Sequence, residues 1–75
     1  MRKPSKKLLD NLANNVRTFR LKNGISQEQL AEICGFHRTY IGSIERGERN
    51  TTLSTLEVLA KTLNVSIAQL LNDDE

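Results

Sequence analysis

Apolar residues recur every three or four positions along most of this chain, a spacing typical of amphipathic helices. No segment shows the strict alternation of a half-buried strand. The fold class expected from this pattern is therefore all-α, a compact five-helix domain. The predicted helices begin and end as follows: Leu8 or Leu9 to Lys22, Gln27 to Cys34, His37 to Arg46, Leu53 to Leu63, and Ile67 to Leu71.

Capping residues support these boundaries. Ser26 with Gln29 and Ser66 with Gln69 each form a capping box, in which hydroxyl and amide satisfy two free backbone N–H groups. Thr52 is a simple N-cap for the fourth helix.

Residues 26–46 contain two short helices separated by a glycine turn, which predicts a helix-turn-helix. In the second of them Ile41 and Ile44 face inward. The opposite side has no bulky apolar group and no acid, and it suits the floor of a DNA major groove. Its residues are Arg38, Thr39, Gly42, Ser43 and Arg46.

The 75 residues make one small domain, and composition excludes several classes of site. A single cysteine cannot form an internal disulfide, and one cysteine with one histidine cannot assemble a zinc site, so we expect no cofactor or metal. The N-terminus lacks the apolar segment of a signal peptide, so we expect a soluble cytoplasmic protein without a membrane partner. From the length of 75 residues we also expect no domain that senses a small-molecule ligand.

The net charge of +2 is unevenly distributed: residues 1–24 carry +6, residues 25–50 carry −1 and residues 51–75 carry −3. We therefore divide the chain into a basic arm (1–7), a helix-turn-helix domain (8–71) and an acidic tail (72–75). The arm is either a solvated tail or a segment that reaches the DNA backbone or minor groove.

Arg20 lies beside the apolar stripe of the first helix and needs a carboxylate partner there. Glu45, on the inner shoulder of the third helix, is the leading candidate for a structural ion pair.

Residues of the predicted motif divide into base readers and phosphate ligands. Arg38 can form bidentate hydrogen bonds to guanine O6 and N7, and the alternative is a contact with a phosphate. Thr39 and Ser43 are the other base-reading candidates. The phosphate-binding candidates are Gln27, His37, Tyr40, Arg46, Arg49 and Asn50. For Tyr40, packing on the core is an equal alternative.

Three apolar residues, Val58, Ile67 and Leu71, are in excess of what the last two helices need for their own packing. We predict that they form a two-fold homodimer interface, with a fully packed monomer core as the alternative.

The stretch ISQEQLAEICGFHRTYIGSIERGERNTTLSTLEVLAKTLNVSIAQLL resembles the Cro/repressor-type (XRE) helix-turn-helix family. Within the family, RTYIGSIERGERN is similar to controller proteins of restriction–modification systems, with prophage and antitoxin repressors as close competitors. The resemblance implies a lambda-repressor-like five-helix domain that binds a near-palindromic operator as a dimer. Two departures from the usual pattern are His37, where Ser, Thr or Asp is the better N-cap, and Thr51 in place of proline.

The resemblance also implies roles for individual residues. It implies a buried Arg20–Glu45 bridge, a phosphate contact by Gln27 and base contacts near Arg38. Glu28 and Glu32, one turn apart on the outer face of the second helix, serve solubility or touch RNA polymerase, as acids at matching positions do in activating relatives.

These patterns together predict a DNA-binding transcriptional regulator, double-stranded DNA being its partner. The rival interpretation is a protein-interaction module with secondary DNA binding, which the polar face of the third helix disfavours. An enzyme is the weakest alternative, because the chain has no phosphate-cradling glycine loop and no paired catalytic groups.

Overall fold

A computed structural model describes residues 4–73, and in that range every element is an α-helix. The five helices are α1 (Lys6–Lys22), α2 (Gln27–Cys34), α3 (Arg38–Glu45), α4 (Leu53–Leu63) and α5 (Ile67–Leu71). The all-α prediction is confirmed, and α2, α4 and α5 have the predicted bounds.

The prediction that α1 begins at Leu8 or Leu9 is wrong, because the helix begins at Lys6. Ser5 is its N-cap, and its hydroxyl accepts a hydrogen bond from the Leu8 backbone N–H at 3.1 Å. The apolar stripe marks only where a helix meets the core, whereas a cap can start it one turn earlier. Lys6 and Lys7, assigned to the basic arm, are therefore helical; residues 1–3 of that arm lie outside the described residues.

Asp73, the first acid of the predicted acidic tail, contacts α1. Its Oδ2 lies 2.7 Å from Lys7 Nζ, and this hydrogen bond lowers the pKa of the Asp73 carboxyl. Asp74 and Glu75 lie outside the described residues.

One core joins all five helices. It includes Ile41 and Ile44, as the periodicity predicted, and its largest fully buried side chains are Leu30, Ile41, Ile44, Leu59, Leu70 and Val16. Asn15 Nδ2 donates to the carbonyl oxygens of Leu70 and Asn72, at 2.8 and 2.7 Å, and so holds the end of α5 against α1. Such bonds satisfy terminal carbonyls that have no partner within their own helix.

The Cys34 thiol belongs to this packing. It donates to Thr62 Oγ1 at 3.4 Å, and burial raises its pKa, so the sulfur is held as the neutral thiol. Within residues 4–73, no three metal-ligating side chains come together. Nor does any helix in this range have the length and apolar character needed to cross a membrane.

Candidate nucleic-acid interface

The Arg20–Glu45 ion pair fixes the third helix to the first. Arg20 Nε lies 2.6 Å from Glu45 Oε2, Arg20 Nη2 lies 3.0 Å from Glu45 Oε1, and the two side chains are only 10% and 4% exposed. Arg20 Nη1 also donates to the Ile25 carbonyl at 2.9 Å. Hydrogen bonding to Glu45 raises the pKa of Arg20. The bidentate Arg20–Glu45 contact therefore fixes the position of α3, and the bond to Ile25 fixes the loop that leads into α2.

Gln27 extends this network to the surface. Its Nε2 donates to Glu45 Oε1 at 3.0 Å, so the first residue of α2 is tied to the last residue of α3. The amide expected to contact a phosphate is thus already engaged with α3 through its donor group.

Arg38 and Thr39 are exposed on the first turn of α3, as a base-reading role requires. They line a depression between the starts of α2 and α3, to which Gln27, Glu28 and Arg46 also contribute. Arg46 is exposed just after α3, where its Nε donates to Glu48 Oε1 at 3.1 Å. Two exposed arginines thus stand at the two ends of α3, each beside an acidic side chain of a neighbouring segment.

The structure corrects the assignment of Ser43 to the base-reading face. Ser43 is 7% exposed; its hydroxyl donates to the Tyr40 carbonyl at 2.7 Å and accepts from Arg49 Nε at 3.3 Å. A helix face that the sequence pattern predicts to be exposed can still be covered by a neighbouring segment. Here Arg49, from the segment after α3, lies against Ser43. In the free protein the Ser43 hydroxyl is thus engaged with the Tyr40 carbonyl and with Arg49.

Gly42 is also buried, although it was assigned to the same face. A Cβ there would lie 3.2 Å from Arg46 Nη1 and 3.6 Å from Gln27 Oε1. The side chains of Gln27 and Arg46 therefore cover this backbone position.

Tyr40 is half-buried and joins α3 to α4. Its ring meets Phe36 edge to face at 5.2 Å, its hydroxyl donates to Thr55 Oγ1 at 3.3 Å, and the Arg49 guanidinium lies 5.1 Å from the ring centre. In the free protein Tyr40 therefore packs against its neighbours, which was the alternative to a phosphate contact. Asn50, by contrast, is exposed in the connector between α3 and α4.

His37 is the N-cap of α3, which spans eight residues where ten were predicted. Its Nδ1 accepts from the Thr39 backbone N–H at 3.2 Å and lies 2.8 Å from Thr39 Oγ1. An imidazole nitrogen with a free lone pair therefore serves in place of the usual hydroxyl or carboxylate cap. His37 remains exposed beside Arg38.

The two acids of α2 have different surroundings. Glu28 Oε2 lies 3.8 Å from Arg38 Nη1, next to the base-reading candidates. Glu32 is exposed, and so is its neighbour Ile33, at 62%. Sequence reasoning missed the closeness of Glu28 to Arg38, because nothing in the spacing of residues 28 and 38 indicates contact.

The three predicted dimer residues, Val58, Ile67 and Leu71, are all half-buried. Val58 and Ile67 line the same groove beside Val65 and Lys61, whereas Leu71 lines a separate small cavity with Leu8 and Leu53. Ile67 and Leu71 are one turn apart on α5, and both pack against the core.

Three comparisons with known proteins all find helix-turn-helix proteins or transcriptional regulators. The family model described as "Helix-turn-helix" matches residues 16–70. Control protein C.SmaI of Serratia marcescens is 68% identical over 60 residues, which cover 80% of this chain and 71% of the relative. The hypothetical transcription factor NHTF from Neisseria superposes with a TM-score of 0.84 and 42% identity, covering 96% of this chain and 84% of the other.

A further solved structure contains DNA. Restriction-modification controller protein C.Esp1396I, as a tetramer in complex with its natural 35 base-pair operator, is 37% identical to this chain with a TM-score of 0.73. The match covers 87% of this chain and 96% of that one. The structural likeness thus extends to a relative crystallised on its operator.

Proposed function

Since the chain belongs to the XRE-type helix-turn-helix family, we propose that it is a sequence-specific transcriptional regulator of the restriction–modification controller type. It acts in the cytoplasm on double-stranded DNA, including the operator of its own gene. Repression in the manner of a prophage or antitoxin regulator uses the same DNA contacts, and the genes beside the operator distinguish these settings.

The observation that carries this proposal is the presentation of Arg38 and Thr39. Both are exposed at the start of a helix whose far end is held by a buried ion pair. A reading helix must enter the major groove as a rigid unit, since its first turn meets the base edges. Arg38 then reads guanine, Thr39 contacts an adjacent thymine methyl group or phosphate, and Arg46, Arg49 and Asn50 hold the DNA backbone.

Two copies of the chain are needed to recognise a two-fold symmetric site. Their reading helices would enter successive major grooves on one side of the DNA, with centres about 34–36 Å apart. The operator is therefore a near-palindrome whose half-sites are one helical turn apart.

The proposal is tested by selecting bound duplexes from a random DNA pool and footprinting the recovered sequence. We expect a near-palindromic site with guanine in each half-site, and binding that weakens steeply with salt as phosphate contacts are lost. Recovery of no sequence preference, with binding explained by charge alone, would refute the regulator assignment.

For the dimer interface we propose the groove that contains Val58 and Ile67. Substituting Val58 by aspartate would bury a carboxylate in this contact, so we expect the dimer dissociation constant to rise at least about tenfold. Sedimentation equilibrium measures the effect, and circular dichroism checks that the helices remain. Val58→Thr, which conserves shape, is the control. An unchanged dimer in Val58→Asp would place the interface elsewhere.

The outer face of α2 provides a surface for RNA polymerase, because exposed Glu32 stands beside the exposed apolar side chain of Ile33. Glu28 is the second acid of this face. Charge reversal by Glu32→Lys is expected to lower transcription from an activated promoter several-fold while the protein still binds its operator. In vitro transcription and gel shift measure the two effects separately. Full activation by this variant would remove polymerase from the proposed partners.

A further inference from the structure

An acidic side chain lies within the surface that is proposed to meet DNA. Glu28 Oε2 is 3.8 Å from Arg38 Nη1, and the two side chains are 74% and 68% exposed. Both line the depression between the starts of α2 and α3, together with Gln27 and Thr39. A carboxylate at this place is repelled by every phosphate that approaches, so its charge by itself weakens DNA binding. Its presence here is explained if it improves the choice between DNA sequences.

We infer that Glu28 is a positioning residue that directs Arg38 to a neutral base edge in preference to a phosphate. This inference rests on the proposed base-reading role of Arg38. It assigns to Glu28 a function in sequence discrimination, beyond any contact that the outer face of α2 makes with polymerase.

The geometry of the guanidinium group allows Arg38 to serve two acceptors. It carries five N–H donors in a planar fork and a delocalised charge, so one edge can bind guanine O6 and N7 while the guanidinium stays within ion-pair distance of Glu28. Guanine is uncharged, and therefore the ion pair survives in the specific complex.

A phosphate contact by Arg38 has a different consequence. It brings a second negative charge within a few ångströms of Glu28, and the two anions repel one another. Glu28 thus penalises the complex in which Arg38 holds only the backbone. Specificity is a difference between two affinities, and a repulsive element against the wrong complex raises it.

The test compares dissociation constants for the selected operator and for a random duplex of equal length, over a range of salt concentrations. Glu28→Gln keeps the shape of the side chain and removes its charge. We expect it to lower the specificity ratio about fivefold, which is the upper range for an exposed pair, mainly through tighter binding of random DNA. The salt dependence for random DNA should also become steeper.

Glu32→Gln is the matched control, because it makes the same charge change one turn further along α2. Among residues 4–73, the ion pair of Arg38 is with Glu28 and not with Glu32. We therefore expect Glu32→Gln to tighten binding of both duplexes equally and to leave their ratio unchanged.

A second arm repeats the comparison in an Arg38→Ala background, where Glu28→Gln should no longer change the ratio. An unchanged ratio in the single variant, or an equal change with and without Arg38, would overturn the positioning role. Wild-type protein that binds operator and random DNA alike would refute the proposed function itself, and this outcome is seen before any variant is made.

Discussion

Glu45→Ala is expected to lower the free energy of unfolding by about 3–5 kcal/mol, because it leaves the buried Arg20 guanidinium without its carboxylate. The same change removes the acceptor of Gln27, so the start of α2 loses its tie to α3. A loss of this size is a large fraction of the total stability of a small domain. Urea unfolding followed by circular dichroism measures it.

The control for this prediction replaces both partners. The double variant Arg20→Leu with Glu45→Leu removes the two charges together, and its loss of stability should be clearly smaller than that of Glu45→Ala. DNA affinity should fall in both variants, because neither retains the contact that orients α3. A loss below about 1 kcal/mol in Glu45→Ala would show that water solvates Arg20 as readily as the carboxylate does.

Arg38→Ala is expected to abolish most of the sequence preference without unfolding the protein. Each bidentate arginine–guanine contact contributes about 1–3 kcal/mol of discrimination, and a dimer makes the contact twice. The operator affinity should therefore fall by at least about tenfold, whereas random DNA loses only a charge contact. Competitive gel shifts with the selected operator and a random duplex measure both quantities.

Arg38→Lys separates charge from geometry. A lysine keeps the positive charge but lacks the planar fork, so binding of random DNA should stay near the wild-type level while discrimination at the guanine position weakens. Equal losses on operator and random DNA in Arg38→Ala would instead assign Arg38 to the phosphate backbone.

The sequence predicted the burial of some α3 residues correctly and that of others incorrectly. Ile41 and Ile44 are buried, and Arg38 and Thr39 are exposed, as the helical spacing predicted. Ser43 was expected on the exposed face but is buried, in contact with Arg49 where the chain returns to the helix. Periodicity describes one helix at a time and contains no information about such a return.

The bounds of α2, α4 and α5 and the inward positions of α3 were thus available from the sequence alone, since caps and apolar periodicity act within a few residues of one another. The pairing of Arg20 with Glu45 was also accessible, because a charge beside an apolar stripe requires a partner. Tertiary structure alone decided that Glu28 faces Arg38 and that the Tyr40 hydroxyl meets Thr55. These contacts join side chains of different helices, and their distances follow from how the helices pack.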